Sequence, residues 1–248
     1  MRLTTFKRLF AILGLMSNRR SMHNFLLTAE VTRGFDSSHT VSWSQMGEDI
    51  GLNNYFKQRK SGTYIDLGAF HPDRYSNTRL LYQRGWRGVN IDANEDLISN
   101  FMVERPEDKN ICAAVGYKSE YPLYVMSEGL VTTTIKEFRD QEIARGRKEI
   151  AERLVKGITL RSILDKYFLE ERLTILTIDI EGADYDALNS ISFETLEPNR
   201  FPEYLLLETA PPVSNSLAFP AVKLAQSVGY IPELILPMAT LLIAPDVI

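Results

Sequence analysis

The chain has 248 residues, enough for one sizeable domain with a small extension. Its 44% hydrophobic and 24% charged content are those of an ordinary globular protein, and a net charge of −4 gives no whole-chain attraction to nucleic acid. The single cysteine, Cys112, excludes an internal disulfide and a cysteine-based zinc site and suits a reducing cytoplasm, while histidines 23, 39 and 71 are not spaced as a metal motif.

Residues 1–43 read as a basic amphipathic extension. Arg2, Lys7, Arg8, Arg19, Arg20 and Arg33 face one acid, Glu30, and Leu3, Phe6, Leu9, Phe10 and Leu13 recur at helical spacing. Such a helix can lie on a membrane surface, pack on the domain or stay partly disordered. The apolar run Phe10–Met16 is far short of the ~20 residues that span a bilayer, and no small-residue cleavage site follows it.

From Ser44 onward, short apolar runs alternate with helical patterns. Thr63–Leu67 is a buried strand ending at Gly68, Asn77–Gly85 a helix, Gly88–Ile91 a strand ending at Asp92, and Leu97–Val103 a helix stopped by Arg105-Pro106. Asn110–Val115 is a third strand and Pro122–Met126 a hairpin partner. Residues 130–157, dense in Glu and Arg, read as a charged helical insertion, either a solvated excursion or a mobile cover over a site. Helices are expected at Thr159–Phe168, Tyr185–Ile191 and Ala218–Val228, and strands at Leu173–Ile180, Tyr204–Leu207, Ile231–Leu236 and Thr240–Ala244.

Strands alternating with helices imply a doubly wound, mostly parallel sheet. The last two strands are too close in sequence for a parallel crossover, so one strand near the C-terminus runs antiparallel. That disfavours an all-parallel dinucleotide-binding dehydrogenase.

The turn after the first strand, Gly68-Ala69-Phe70-His71-Pro72-Asp73, has Phe70 where a pyrophosphate site needs its second glycine, and Asp73 adds negative charge. A ligand with an amino-acid head group and a sulfonium tolerates both; Asp66 and Asp73 can complement its positive charges. Asp92 stands 24 positions after Gly68, near the ~20 expected of an acid that grips a ribose. Its alternative role is to cap the following helix, for which Asn94 is an equal candidate.

Segments SQMGED (44–49), YIDLGAFHPDRYSNT (64–78), GWRGVNIDAN (85–94), AAVG (113–116) and TIDIEGADYDAL (177–188) together resemble the FkbM family of S-adenosylmethionine-dependent methyltransferases. The resemblance implies a class I methyltransferase-like (Rossmann-like) fold over residues 44–248, S-adenosylmethionine as cofactor, and methylation of an oxygen, often on sugars or secondary metabolites. It implies that Asp66, Gly68 and Ala69 line the methionine part, Asp92 the ribose, and the stretch containing Ala114 and Val115 the adenine. Asn77 and Thr78 would face the cofactor carboxylate or merely cap a helix, and the segment holding Gln45 would fold over the cofactor. Phe70 and Ala93 complete the expected cofactor-binding set. Residues 1–40 and the tail after 210 match poorly.

An alcohol acceptor must lose a proton, which calls for a general base. Asp179 and Glu181, at a strand end and on one side by strand alternation, are the first candidates, with shaping the loop as their alternative role. His71 is the second candidate, since an imidazole titrates near neutrality. Glu208, ending the next strand, is expected to hold the acceptor. No metal is expected: one shared by Asp179 and Glu208 is the alternative, but no histidine-rich or multi-carboxylate motif supports it. The acceptor is expected to be a small molecule or carbohydrate, not nucleic acid, and the location cytoplasmic, with possible peripheral membrane contact through the N-terminal segment. A nicotinamide-dependent oxidoreductase and a non-catalytic Rossmann-like binding domain are the alternative readings.

Overall fold

In the computed structural model the described residues are 41–209 and 219–247. Expectations for residues 1–40 lie outside them.

Ten strands are described: β1 Thr63–Leu67, β2 Arg87–Asp92, β3 Lys109–Cys112, β4 Ala114–Val115, β5 Glu120–Met126, β6 Glu149–Ile158, β7 Ile175–Ile178, β8 Tyr204–Glu208, β9 Ile231–Ile235 and β10 Ala239–Ile243. The helices are α1 Glu48–Tyr55, α2 Arg79–Gln83, α3 Glu95–Glu104, α4 Lys136–Ala144, α5 Leu160–Tyr167, α6 Asp184–Asn189 and α7 Pro220–Ser227. Seven strands form one sheet in the order β3-β2-β1-β7-β8-β10-β9. β10 runs antiparallel to both β8 and β9, and the other pairings are parallel. This is the expected doubly wound sheet with one antiparallel strand.

Alternation along β1 fills both faces. Ile65 and Leu67 join a core with α5, α6 and α7, while Tyr64 joins a second core with Leu52, Phe56, Leu81 and Trp86. Helices are placed by side chains that satisfy their open ends. Thr159 Oγ1 accepts the Ser162 amide at 3.1 Å, and Asn94 Oδ1 accepts the Asp96 amide at 3.2 Å.

Two expectations are corrected. Residues 110–115 are not one strand: β3 stays in the main sheet and, past Ala113, β4 pairs with β6. The expected helical insertion over 130–157 is helical only in a 3-10 turn at Gly129–Val131 and in α4; its second half is β6, the central strand of a small sheet β4-β6-β5. β6 carries charges and has no continuous apolar face, so periodicity hides it. Ladders on both its sides, antiparallel to β5 and parallel to β4, hold it extended.

The chain winds outward from β1 to β3, then returns to add β7 and β8 on the other side. The order therefore reverses between β1 and β7, whose last residues Leu67 and Ile178 lie opposite each other. Open α/β sheets bind ligands at such a reversal, beyond the carboxyl ends of the strands. Among the described residues no helix is long and apolar enough to cross a membrane.

Candidate active site

At the reversal, the chain leaves β1 through Gly68 at φ +80°. A β-carbon there would stand 1.8 Å from the Asp179 backbone carbonyl, so glycine is required by the neighbouring turn. The Gly68 and Ala69 amides both donate to the Ile91 carbonyl, at 3.0 and 3.1 Å, and the Asp179 amide donates to the Leu67 carbonyl at 3.1 Å. Gly68 thus brings the ends of β1, β2 and β7 together rather than offering its amide to a ligand. The next residue but one, Phe70, has φ +55°, and Glu181, in the facing turn, φ +53°. Two non-glycine residues in this disfavoured region, both lining one cleft, mark a site where the surroundings impose the backbone.

The turn lacks further glycines and is held instead by a buried polar network. Arg105, fully buried, donates from Nη1 to Thr78 Oγ1 at 2.8 Å, and from Nη2 to Ser76 Oγ at 2.8 Å and to the Pro72 carbonyl. Thr78 in turn donates to Asp66, whose other oxygen accepts Thr177 Oγ1 at 2.8 Å. Both Asp66 oxygens are engaged and the residue is buried, so Asp66 joins β1, β7 and the first turn; it does not line the cleft. Ala69 packs against Ile98 and Phe101, and Asp73 pairs with Arg79 at 3.0 Å. Of the residues expected at the methionine part, Gly68 lines the cleft; Asp66, Ala69 and Thr78 support it from behind.

Asp92, Ala93, Ala114 and Val115 line the cleft together with Phe70. Asp92 accepts the Phe70 amide at 3.0 Å through Oδ2 and the Asn94 amide at 2.8 Å through Oδ1. Burial pushes its carboxyl up to about 6 against those two amides. Gly129, Leu130 and Thr132–Thr134, the start of the segment read as a cover, also line the cleft. This stretch is pinned, since Thr133 Oγ1 donates to the Glu181 carbonyl at 2.9 Å and the Thr133 and Tyr124 backbones exchange hydrogen bonds at 2.9 and 3.3 Å.

Two further clefts share lining residues with this one. A second is bounded by Gln45, Glu48, Tyr75 and Asn77 and reaches Asp179 and Glu208. A third lies between Val131, Phe138, Tyr185 and Phe219, with Arg145, Arg147 and Asp184 on its walls, and reaches Glu181 and Glu208. Asp179 therefore borders the first and second clefts, Glu181 the first and third, and Glu208 the second and third. The three carboxyls stand where the clefts meet.

Crowding sets their protonation. Burial first, then Glu208 and Asp184, holds Asp179 well above the carboxylate range. Burial, then Asp179 and Asp184, pushes Glu181 up to about 8, with Arg147 opposing. Burial, then Glu181 and Asp184, pushes Glu208 up to about 8. The Asp179 and Glu208 carboxyls stand close enough to share a proton.

Asp179 and Glu181 reach the junction by a different route from the one strand alternation implies. β7 ends at Ile178, and both acids lie in the turn beyond it. His71 is not among the cleft-lining residues, and its Nδ1 accepts the Asp73 amide at 3.0 Å. Gln45 and Asn77 line the second cleft, not the first. Sequence reasoning did not single out Arg105, Thr133 or Arg147, and Arg105 carried a signal only as a helix stop; Glu48 lay within the segment 44–49 expected to fold over the cofactor but was given no role of its own. Among the described residues no group of three or more His, Cys, Asp or Glu is placed to hold a metal ion.

A seven-stranded sheet of this order, with an acid at the end of β2 beside a cleft at the reversal, is that of class I methyltransferases. The sequence matches the methyltransferase FkbM domain over residues 66–209, more than half of the chain, and the protein belongs to that family. Its methyl donor is S-adenosylmethionine, which sets aside the nicotinamide reading. Among solved structures it is similar to a TehB-like SAM-dependent methyltransferase from Corynebacterium glutamicum, at 11% identity and TM-score 0.40, over 92% of this chain and 100% of that one. It is also similar to the delta-N METTL16 MTase domain, at 8% identity and TM-score 0.43, over 92% and 96%. No curated protein matches the sequence.

Proposed function

We propose that the methyl group goes to an oxygen, a hydroxyl of a sugar, glycoconjugate or secondary metabolite, bound in the third cleft. The observation that carries this reading is the meeting of three clefts at Asp179, Glu181 and Glu208. The residues present suit the cofactor: Asp92 has the acceptor oxygens for two ribose hydroxyls, and Ala93, Ala114 and Val115 offer an apolar wall for a flat base. When bound, S-adenosylmethionine supplies a methyl group on a positively charged sulfur.

What remains for the protein is to orient the acceptor and take its proton. Glu181, on the border between the first and third clefts, is placed to accept that proton; its carboxyl, pushed up to about 8, is a stronger base than an ordinary glutamate. A positive charge at the junction favours its ionised form. Glu208 and Asp184 offer oxygens to further hydroxyls, and Phe138, Tyr185 and Phe219 give rings on which a sugar's C–H face can pack. Walls this rich in carboxyls are unfavourable to a nucleic-acid backbone.

The reading is tested by incubating the full chain with methyl-labelled S-adenosylmethionine and pools of sugars, glycolipids, protein and RNA. Label in a methyl ether is the expected result. Label exclusively in protein or nucleic acid overturns it. Removing residues 1–30 is expected to leave transfer to a soluble acceptor intact.

A further inference from the structure

Glu48 opens α1 and is 1% exposed. Its Oε2 accepts the Met46 amide at 2.9 Å, but Oε1 has no hydrogen-bond partner. A buried carboxylate oxygen left bare is costly, and such an atom points to something that binds it. It lies on the wall of the second cleft, which it shares with Gln45 and Asn77. The side-chain amides of these two have no hydrogen-bond partner among the described residues. Asp179 joins this cleft to the one lined by Asp92.

We propose that the second cleft holds the amino-acid end of the cofactor, with Glu48 receiving the ammonium group and Gln45 and Asn77 donating to the carboxylate. A free amino-acid end is a zwitterion. It needs an anion and neutral donors on the walls of one small pocket that borders the adenosine site, and the second cleft, bordering the first at Asp179, combines them. The obvious rival for the ammonium, Asp66, is buried behind the turn, lines neither cleft, and is bonded to Thr78 and Thr177. The glycine-poor turn after β1 follows from the same division of labour. The amino-acid end is gripped from α1 and Asn77, so the turn need not wrap it with backbone amides.

The test is calorimetric titration of the full chain with two ligands. Adenosylhomocysteine carries the amino-acid end, and methylthioadenosine lacks it. Wild type is expected to bind adenosylhomocysteine more tightly. Glu48→Gln is expected to weaken adenosylhomocysteine roughly 10- to 100-fold, the range for a charged hydrogen bond, and to leave methylthioadenosine unchanged. Unchanged adenosylhomocysteine affinity in Glu48→Gln overturns the proposal. So does an equal loss for both ligands in a variant that melts as wild type does, because Glu48 would then act through the fold. Binding of neither ligand by wild type overturns the cofactor assignment itself, a separate failure. Should Glu48→Gln not fold, Asn77→Ala carries the same comparison, with selective loss of adenosylhomocysteine expected.

Discussion

The backbone carbonyl of Asp179 occupies the space that a β-carbon on Gly68 would need, with 1.8 Å between them. One glycine therefore couples the cofactor turn after β1 to the carboxyl-bearing turn after β7. Any side chain at 68 pushes the two strand ends apart.

Gly68→Ala is accordingly expected to lower both stability and cofactor affinity. A left-handed alanine alone costs about 1–2 kcal/mol, and the clash with backbone adds to it. For a protein of this size each kcal/mol is worth roughly 2–4 °C, so a melting temperature lower by several degrees is expected. Adenosylhomocysteine affinity is expected to fall at least about tenfold, a loss of ~1.4 kcal/mol. A variant that melts and binds as wild type does would show that the two turns are not coupled.

Cofactor affinity is expected to depend on pH through Asp92. Its carboxyl, raised to about 6 by burial, must be ionised to accept two hydroxyl protons. Above pH 6 the affinity for adenosylhomocysteine, which lacks the sulfonium charge felt by Glu181, is expected to be level. Below it, each further unit weakens binding by up to about tenfold, as the occupied proton must be displaced. Calorimetry from pH 5 to 8 measures this, and Asp92→Asn is expected to bind weakly with no such slope. A flat wild-type profile rules out the ribose role.

The framework was legible in the sequence because apolar runs and their spacing dictate it. The strand ends at Gly68 and Asp92, the antiparallel finish and the helix caps at Asn94 and Thr159 stand where those patterns put them, whereas β7 ends at Ile178, two residues before the expected Ile180. β6 was not legible, since its charges conceal a period of two and ladder bonds to β4 and β5 fix it. The site was half legible. Local sequence shows which acids end strands, but not which are already engaged. Asp66 is taken by Thr177, 111 positions away, and Thr78 by Arg105, 27 positions away. Glu48 is the reverse case: its importance lies in a partner it lacks, and a sequence records no such absence.

Without ligand, the protein is expected to lose stability as pH rises from about 5 to 8. Glu181 and Glu208 have folded-state values near 8, against 4.5 when unfolded, and Asp179 is raised as well. Between those values the folded state holds more protons than the unfolded one, so stability is greatest on the acid side and falls as pH passes through the folded values. Urea midpoints across this range measure the slope. Glu208→Gln removes one of the crowded carboxyls and is expected to flatten it. Stability that rises from pH 5 to 8 would mean that the junction carboxyls titrate normally.

Turnover is expected to depend on the junction acids and not on His71. With His71 Nδ1 accepting the Asp73 amide, the proton of the neutral ring sits on Nε2, leaving no free lone pair for a substrate proton. Glu181→Gln is expected to lower turnover by roughly 10²–10⁴, the range for a general base, with adenosylhomocysteine affinity nearly unchanged. Asp179→Asn is expected to lower it as well, because it disturbs the proton shared with Glu208 at the same junction. Since a base works ionised, wild-type turnover is expected to climb with pH toward about 8, and that climb should vanish in Glu181→Gln. His71→Ala is expected to keep most of its activity. If His71→Ala is inactive while both carboxyl variants turn over normally, the base lies in the turn after β1, and the junction serves only to shape the site.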